Sequence, residues 1–232
     1  RYNSGLTVKD VTTLQTNVLT QITAYNNDTL EDFAGMFRYS QLLQTVNEAD
    51  TSILSNITTV KMYKLVTPTL SEALKYTVSF NNALYNPHSG HNATGGGIIS
   101  STGFKISDDD STNEHFLDDT GAGVLRVYYL NGATRVYTDA TYGTVDYDTG
   151  EVVLTSANIT SISNVDGATS TTIRVFAIPS SNDIVPVRNQ VLEIDTSNST
   201  ITGEVDGIVS GGSQAGTTYT TSSSYSSGSS TY

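Results

Sequence analysis

The sequence predicts an α+β chain with short N-terminal helices, a mainly antiparallel β-rich region and a low-complexity C-terminal tail. Three observations carry this. Apolar residues recur at helical spacing in the first part of the 232 residues, and period-two alternation dominates after about residue 55. In the end segment, "SGGSQAGTTYTTSSSYSSGSSTY" (210–232), 18 of 23 residues are Ser, Thr or Gly, too few apolar groups to build a core. The expected organisation is a helical segment 1–54, an α/β region 55–115, an antiparallel β domain 116–200 and a Ser/Thr/Gly/Tyr-rich tail 201–232.

From Thr7, an N-cap candidate with Asp10 three residues on, the residues Val8, Val11, Leu14, Val18, Ile22 and Tyr25 form one apolar stripe. A helix to about Asn26 follows. A second capping signal, Thr29 with Asp32, precedes Leu30, Phe33 and Phe37, and Leu42, Leu43, Val46 and Ala49 follow, so two short helices are predicted here. In "SNITTVKMYKLVTP" Val60, Met62 and Val66 share a face, and in "LKYTVSF" Tyr76, Val78 and Phe80 do, so the two are expected to pair as an antiparallel ribbon. "GIISSTGFKI" reads as one more strand. "VLRVYYL" and "TRVYTD" flank Asn131-Gly132-Ala133, a strong hairpin signal. "YGTVDY" and "EVVLTS" flank Asp148-Thr149-Gly150 in the same way, and "TTIRVFAIP" and "VRNQVLEID" supply two last strands.

Composition excludes several functions. Cys is absent, so thiol catalysis, disulfides and cysteine metal sites are out. With 11 Lys+Arg against 23 Asp+Glu, the net charge of -12 repels nucleic acid and anionic membrane surfaces, and neither is expected as a partner. No apolar run approaches the roughly 18 residues of a membrane span, and "RYNSGLTVKD" has no apolar stretch resembling a signal peptide. The absence of an initiator Met leaves two readings, the C-terminal part of a longer chain or a processed product.

Candidate chemistry is weighed against the plain reading each time. Asp146, Asp148 and Glu151 supply calcium-type oxygens, but Glu151 lies across a turn, and the hairpin reading is preferred. Asp108, Asp109, Asp110, Thr112 and Glu114, with Asp119 at the twelfth place, approach a calcium loop. Asn113 stands where the sharp turn needs Gly, so a solvated loop is expected. His88, His91 and His115 suggest zinc, yet the first two lie in a Pro/Gly loop without the framing that fixes ligand geometry. No Gly-x-Ser-x-Gly elbow exists, and "GHNATGGG" lacks the Lys of a phosphate loop. No catalytic, cofactor or metal residue is assigned. Tyr219, Tyr225 and Tyr232 are the partner-contact candidates, as spaced anchors of a tail docking on another subunit's strand edge.

In "SILSNITTVKMYKLVTPTL", "KYTVSFNNALYNPHSGH", "SSTGF" and "SNDIVPVRNQVLEID" the chain resembles the C-terminal region of the large baseplate wedge protein of contractile-tailed phages. The similarity is to the baseplate J-like group, closest to marine cyanophage versions, over about residues 20 to 200. It implies a non-enzymatic structural subunit of the virion tail baseplate, assembled in the host cytoplasm, one stave of a ring around the tail hub. Its implied partners are neighbouring wedge subunits and further copies of itself, a homo-oligomer with dimer contacts within the ring. Family members carry a substantial N-terminal part that this sequence lacks. The alternative from composition is a carbohydrate-binding adhesin or tail-fibre domain, for which 14 Tyr provide stacking groups. A calcium-dependent hydrolase is the enzyme alternative and would need a metal site first.

Overall fold

The computed structural model describes residues 1–32, 35–91, 96–109, 112–165, 167–187 and 190–208. They fall into two compact units, one formed by residues 59–187 and one by residues 1–58 with the residues after 187.

The helical unit begins with α1, Val11–Tyr25, whose Leu14, Val18, Ile22 and Tyr25 are buried as their spacing requires. Its cap is Asp10 and not Thr7: the Asp10 carboxylate accepts from the Thr13 amide at 2.7 Å, while Thr7 Oγ1 holds the Lys9 amide ahead of the helix. Val8 therefore lies off the stripe and is fully exposed. A π-helical turn, Asn26–Leu30, extends α1, so Thr29 sits inside the helical run and caps nothing. Among the described residues after Thr29 one α-helix, α2 at Tyr39–Glu48, stands where two short ones were expected. Phe37 is buried edge-on to Tyr25, with ring centroids 6.4 Å apart, and Leu42 is buried on α2; Phe33 lies outside the described residues.

The returning chain completes this unit. Tyr2 donates to Glu204 O at 2.9 Å and accepts from Asp206 N at 2.8 Å, with further bridges from Tyr2 to Val205 and Ile53. Buried Asn26 accepts from Ile194 N at 2.6 Å and donates to Glu31 at 2.6 Å. The strand expected at "VRNQVLEID" is not formed among its described residues, because the Ile194 amide is taken by a side chain and has no ladder partner.

Among its described residues the other unit has nine strands: β1 Met62–Val66, β2 Ala73–Ser79, β3 Ile99–Ser101, β4 Phe104–Ile106, β5 His115–Asp119, β6 Val124–Asn131, β7 Thr134–Asp146, β8 Glu151–Ile162 and β9 Ile173–Ala177. All their ladders are antiparallel. Strands β1, β9 and β3 form a three-stranded sheet, and β2-β8-β4-β5-β6-β7 a six-stranded one. Because β7 also pairs with β8, the path β8-β4-β5-β6-β7 closes into a five-stranded barrel with β2 added along β8. The fold is thus mostly antiparallel β, with two α-helices in the other unit.

The two hairpins form where their turns predict. Asn131 pairs with Thr134 around Gly132, at φ +64°, and Asp146 pairs with Glu151 around a turn ending in Gly150, at φ +71°. The ribbon expected from β1 and β2 does not form. Val66 of β1 pairs with Ile173 and Val78 of β2 with Val152, each buried apolar residue meeting a partner far along the chain. "GIISSTGFKI" yields two strands, β3 and β4, in different sheets. At the break, Thr102 exchanges both its amide and its hydroxyl with the Arg174 backbone at 3.0 Å each. Phe104, Leu117, Leu125, Val127, Val152, Leu154 and Ile159 fill the core at 2 % exposure or less. β2 and β4 come from residues 55–115 and their partner β8 from 116–200, so these two segments share one sheet.

Candidate functional site

Asp146, Asp108, Asp109 and Asp119 each have a backbone task or a neighbour of their own. Asp146 Oδ1 accepts from the Asp148 and Thr149 amides at 3.0 and 3.1 Å, which holds its carboxyl below the usual carboxylate range. Asp146, not Asp148, is therefore the residue that caps the turn. Asp109 bonds His115 at 3.1 Å, and Asp119 lies in the interior on β5; Asp110 lies outside the described residues. Among the described residues, no three His, Cys, Asp or Glu side chains form a group able to hold a metal ion. The three histidines are accordingly not one set. His115 is buried against Thr138 and Asp109, whereas His88 and His91 are exposed in the loop after β2. Tyr219, Tyr225 and Tyr232 lie outside the described residues.

Among the described residues, buried carboxylates gather at the end of β5, where the sequence offered Asp119 only as a calcium-loop position and Asp118 not at all. β5 ends in Asp118 and Asp119, 1 % and 0 % exposed. Strand alternation sends them to opposite faces. Asp118 accepts from Arg126 Nε at 2.9 Å, Arg135 Nη1 at 2.8 Å and Tyr137 Oη at 2.9 Å. The same arginines cover aromatic rings: Arg126 lies 4.2 Å from the Tyr137 ring centre and Arg135 4.7 Å from that of Tyr128. Phe116, Tyr128 and Tyr137 continue the face across three strands at 5.9 and 6.0 Å.

Asp119 is occupied on both oxygens. Oδ1 accepts from the Ile98 and Ile99 amides at 2.6 and 2.8 Å, and Oδ2 from Gly121 N at 3.1 Å and Tyr147 Oη at 2.5 Å. Burial first, and then the bond to Asp119, push the Tyr147 hydroxyl far above its ordinary range, so it stays a donor. Gly96 and Gly97 run directly over the pair at φ +88° and +73°. A Cβ on Gly96 would stand 1.3 Å from Arg135 Nη1, and one on Gly97 2.0 Å from Asp119 Oδ1. Gly96 and Gly97 of "GHNATGGG" are thus explained by close approach to two carboxylate clusters.

With its lone pairs taken by three or four donors, neither carboxylate is placed to abstract a proton or attack a substrate. The arrangement clasps β3, the Gly96–Gly97 loop and the β6–β7 hairpin together. The signal available in sequence was an acid inside an apolar strand, Asp118, with Arg126 and Arg135 at matching parity on the next hairpin. A groove between β1 and β2, lined by Leu65, Val66, Tyr76 and Val78 among others, has a volume of about 210 Å³, below the roughly 300–1,000 Å³ of small-molecule sites.

Residues 1–65 match the family described as "Baseplate structural protein gp6, C-terminal domain III", a span covering α1, α2 and most of β1. No curated protein matches the chain. The family match supports a structural role in a phage baseplate, with other baseplate components as partners and the virion tail baseplate as location.

Proposed function

We propose that the protein is a wedge subunit of a contractile phage tail baseplate, one stave of the ring around the tail hub. It works without catalysis, joins neighbouring wedge subunits and further copies of itself, and is assembled in the host cytoplasm. The observation that carries this reading is the baseplate family match over residues 1–65. That matched span exposes Leu6, Val8, Leu54, Ile57 and Leu65, apolar side chains suited to burial against an assembly partner. The committed state of Asp118 and Asp119 is consistent with a role in which the chain bears load and does no chemistry. The carbohydrate alternative draws less support, since the Tyr128 and Tyr137 rings, which a sugar would stack on, are already covered by guanidinium groups. Tyr219, Tyr225 and Tyr232 serve in this proposal as anchors on a neighbouring subunit. Epitope-labelled chain followed through infection should enter purified particles and mark the baseplate end of the tail under immunogold microscopy. Removing residues 209–232 should reduce that incorporation. Label confined to the unassembled lysate fraction sinks the proposal.

A further inference from the structure

The loop after β2 places two histidines face to face. The His91 amide donates to His88 O at 3.0 Å and closes a four-residue turn, with Gly90 at φ +78° in the third position, where such a turn needs glycine. The turn is tied down at several points. Gly90 N and Asn86 Nδ2 both donate to Gly121 O, at 2.9 and 3.4 Å, and Tyr85 N donates to Ile178 O at 3.0 Å. Closure brings His88 Nε2 and His91 Nδ1 to 3.1 Å, the rings nearly perpendicular at 87°.

The outer nitrogen of each ring is also engaged. His88 Nδ1 lies 3.2 Å from Ser89 O, and His91 Nε2 lies 3.4 Å from the Tyr85 hydroxyl, whose ring meets the imidazole edge-on. A carbonyl only accepts, so His88 carries its proton on Nδ1 and turns the Nε2 lone pair toward His91. We infer that His88 Nε2 and His91 Nδ1 form a binding site for a divalent transition-metal ion of the zinc or copper kind, water completing its coordination. Two nitrogens each about 2.0–2.1 Å from a tetrahedral zinc stand roughly 3.3 Å apart, close to the separation already present. Binding needs a small rotation of both rings, which turns their facing lone pairs toward a common point, and one tautomer change: His91 moves its proton from Nδ1 to Nε2 and donates it to the Tyr85 oxygen. Ser89 O and Tyr85 Oη then orient the two ligands, as the outer hydrogen bonds of metal-bound histidines do. Imidazole nitrogens select against magnesium and calcium, which take oxygen ligands.

The test is calorimetric titration of the full chain with zinc chloride in millimolar magnesium, which occupies carboxylates elsewhere on this acidic chain. One zinc per chain is expected. Affinity should fall at least ~10-fold in His88→Gln and in His91→Gln, and by about 10-fold in Tyr85→Phe, the usual cost of losing an orienting partner. Glu151→Gln should bind as the parent does. All three loop side chains are exposed, so the variants are expected to keep the parent's circular dichroism. Zinc affinity unchanged in both histidine variants, or no uptake by the parent at millimolar zinc, overturns the inference.

Discussion

Asp119 joins two loops and a strand through one carboxylate, and without it the Ile98, Ile99 and Gly121 amides would each lose a buried acceptor. Orphaned buried donors cost about 1–3 kcal/mol each, and breaking a buried charged network typically costs about 3–5 kcal/mol. Asp119→Ala should therefore lower the urea-derived unfolding free energy by about 3–5 kcal/mol. Asp119→Asn, which keeps one carbonyl oxygen for Ile98 and Ile99, should lose less. A loss under about 1 kcal/mol in the alanine variant would mean that water replaces the carboxylate and that the clasp is ordinary polar packing. His115 supplies a pH dependence. Burial pushes its imidazole below the ordinary range and outweighs the opposing pull of Asp109. Since the folded value lies below the unfolded one, about 6.5, its contribution is complete above that pH and is lost as pH falls from there through the folded value. Melting curves should show the parent losing stability between pH 7.5 and pH 5 more steeply than His115→Gln. Parallel pH profiles would refute the assignment.

At the scale of elements, two glycines with similar positive φ separate strain from crowding. Gly132, at φ +64°, turns the β6–β7 hairpin with nothing within 4 Å of an added Cβ; Gly97, at φ +73°, would set that Cβ 2.0 Å from Asp119 Oδ1. Gly132→Ala should cost about 1–2 kcal/mol, the penalty of a side chain in the left-handed region alone. Gly97→Ala should cost about 1–3 kcal/mol more, because a buried carboxylate held by four donors has nowhere to retreat. Equal losses in paired urea melts would show that the loop lifts away from Asp119. The same contrast explains what was legible in the sequence. The Gly132 turn and the stripe Leu14, Val18, Ile22 and Tyr25 depend on neighbours in the chain, and they are found where local spacing puts them. Strand β5 was obscured because its acids Asp118 and Asp119 look solvated until Arg126 and Arg135 arrive from other strands and Tyr147 from the β7–β8 turn. The partners of β1 and β2, more than 70 residues away in β9 and β8, obey no local pattern. The Asp10 cap lost to Thr7 in reading because both positions suit a cap and only backbone geometry decides.

For the whole molecule, chain order and unit boundaries disagree in an informative way: one unit is continuous over residues 59–187, and the other needs both ends of the chain. The continuous unit carries a closed barrel and its own core, so a 59–187 fragment should fold alone and unfold cooperatively. The helical unit should not survive loss of its second part. Truncation after residue 187 removes Ile194 N from the buried Asn26 Oδ1, Ile201 O from Gln15, and the Glu204 and Asp206 backbone from Tyr2. What is left, α1 of 15 residues, a π-helical turn and α2 of 10, is close to the length at which helices are marginal in water without packing. Limited proteolysis of a 1–187 fragment should accordingly cut within residues 1–58 first and leave the strands intact, whereas the complete chain should resist at those sites. Because the family match lies over residues 1–65, the same truncation should abolish particle incorporation while sparing the β unit's melting transition. A 1–187 fragment as resistant as the parent throughout would show that the returning segment only lies against a unit already stable without it.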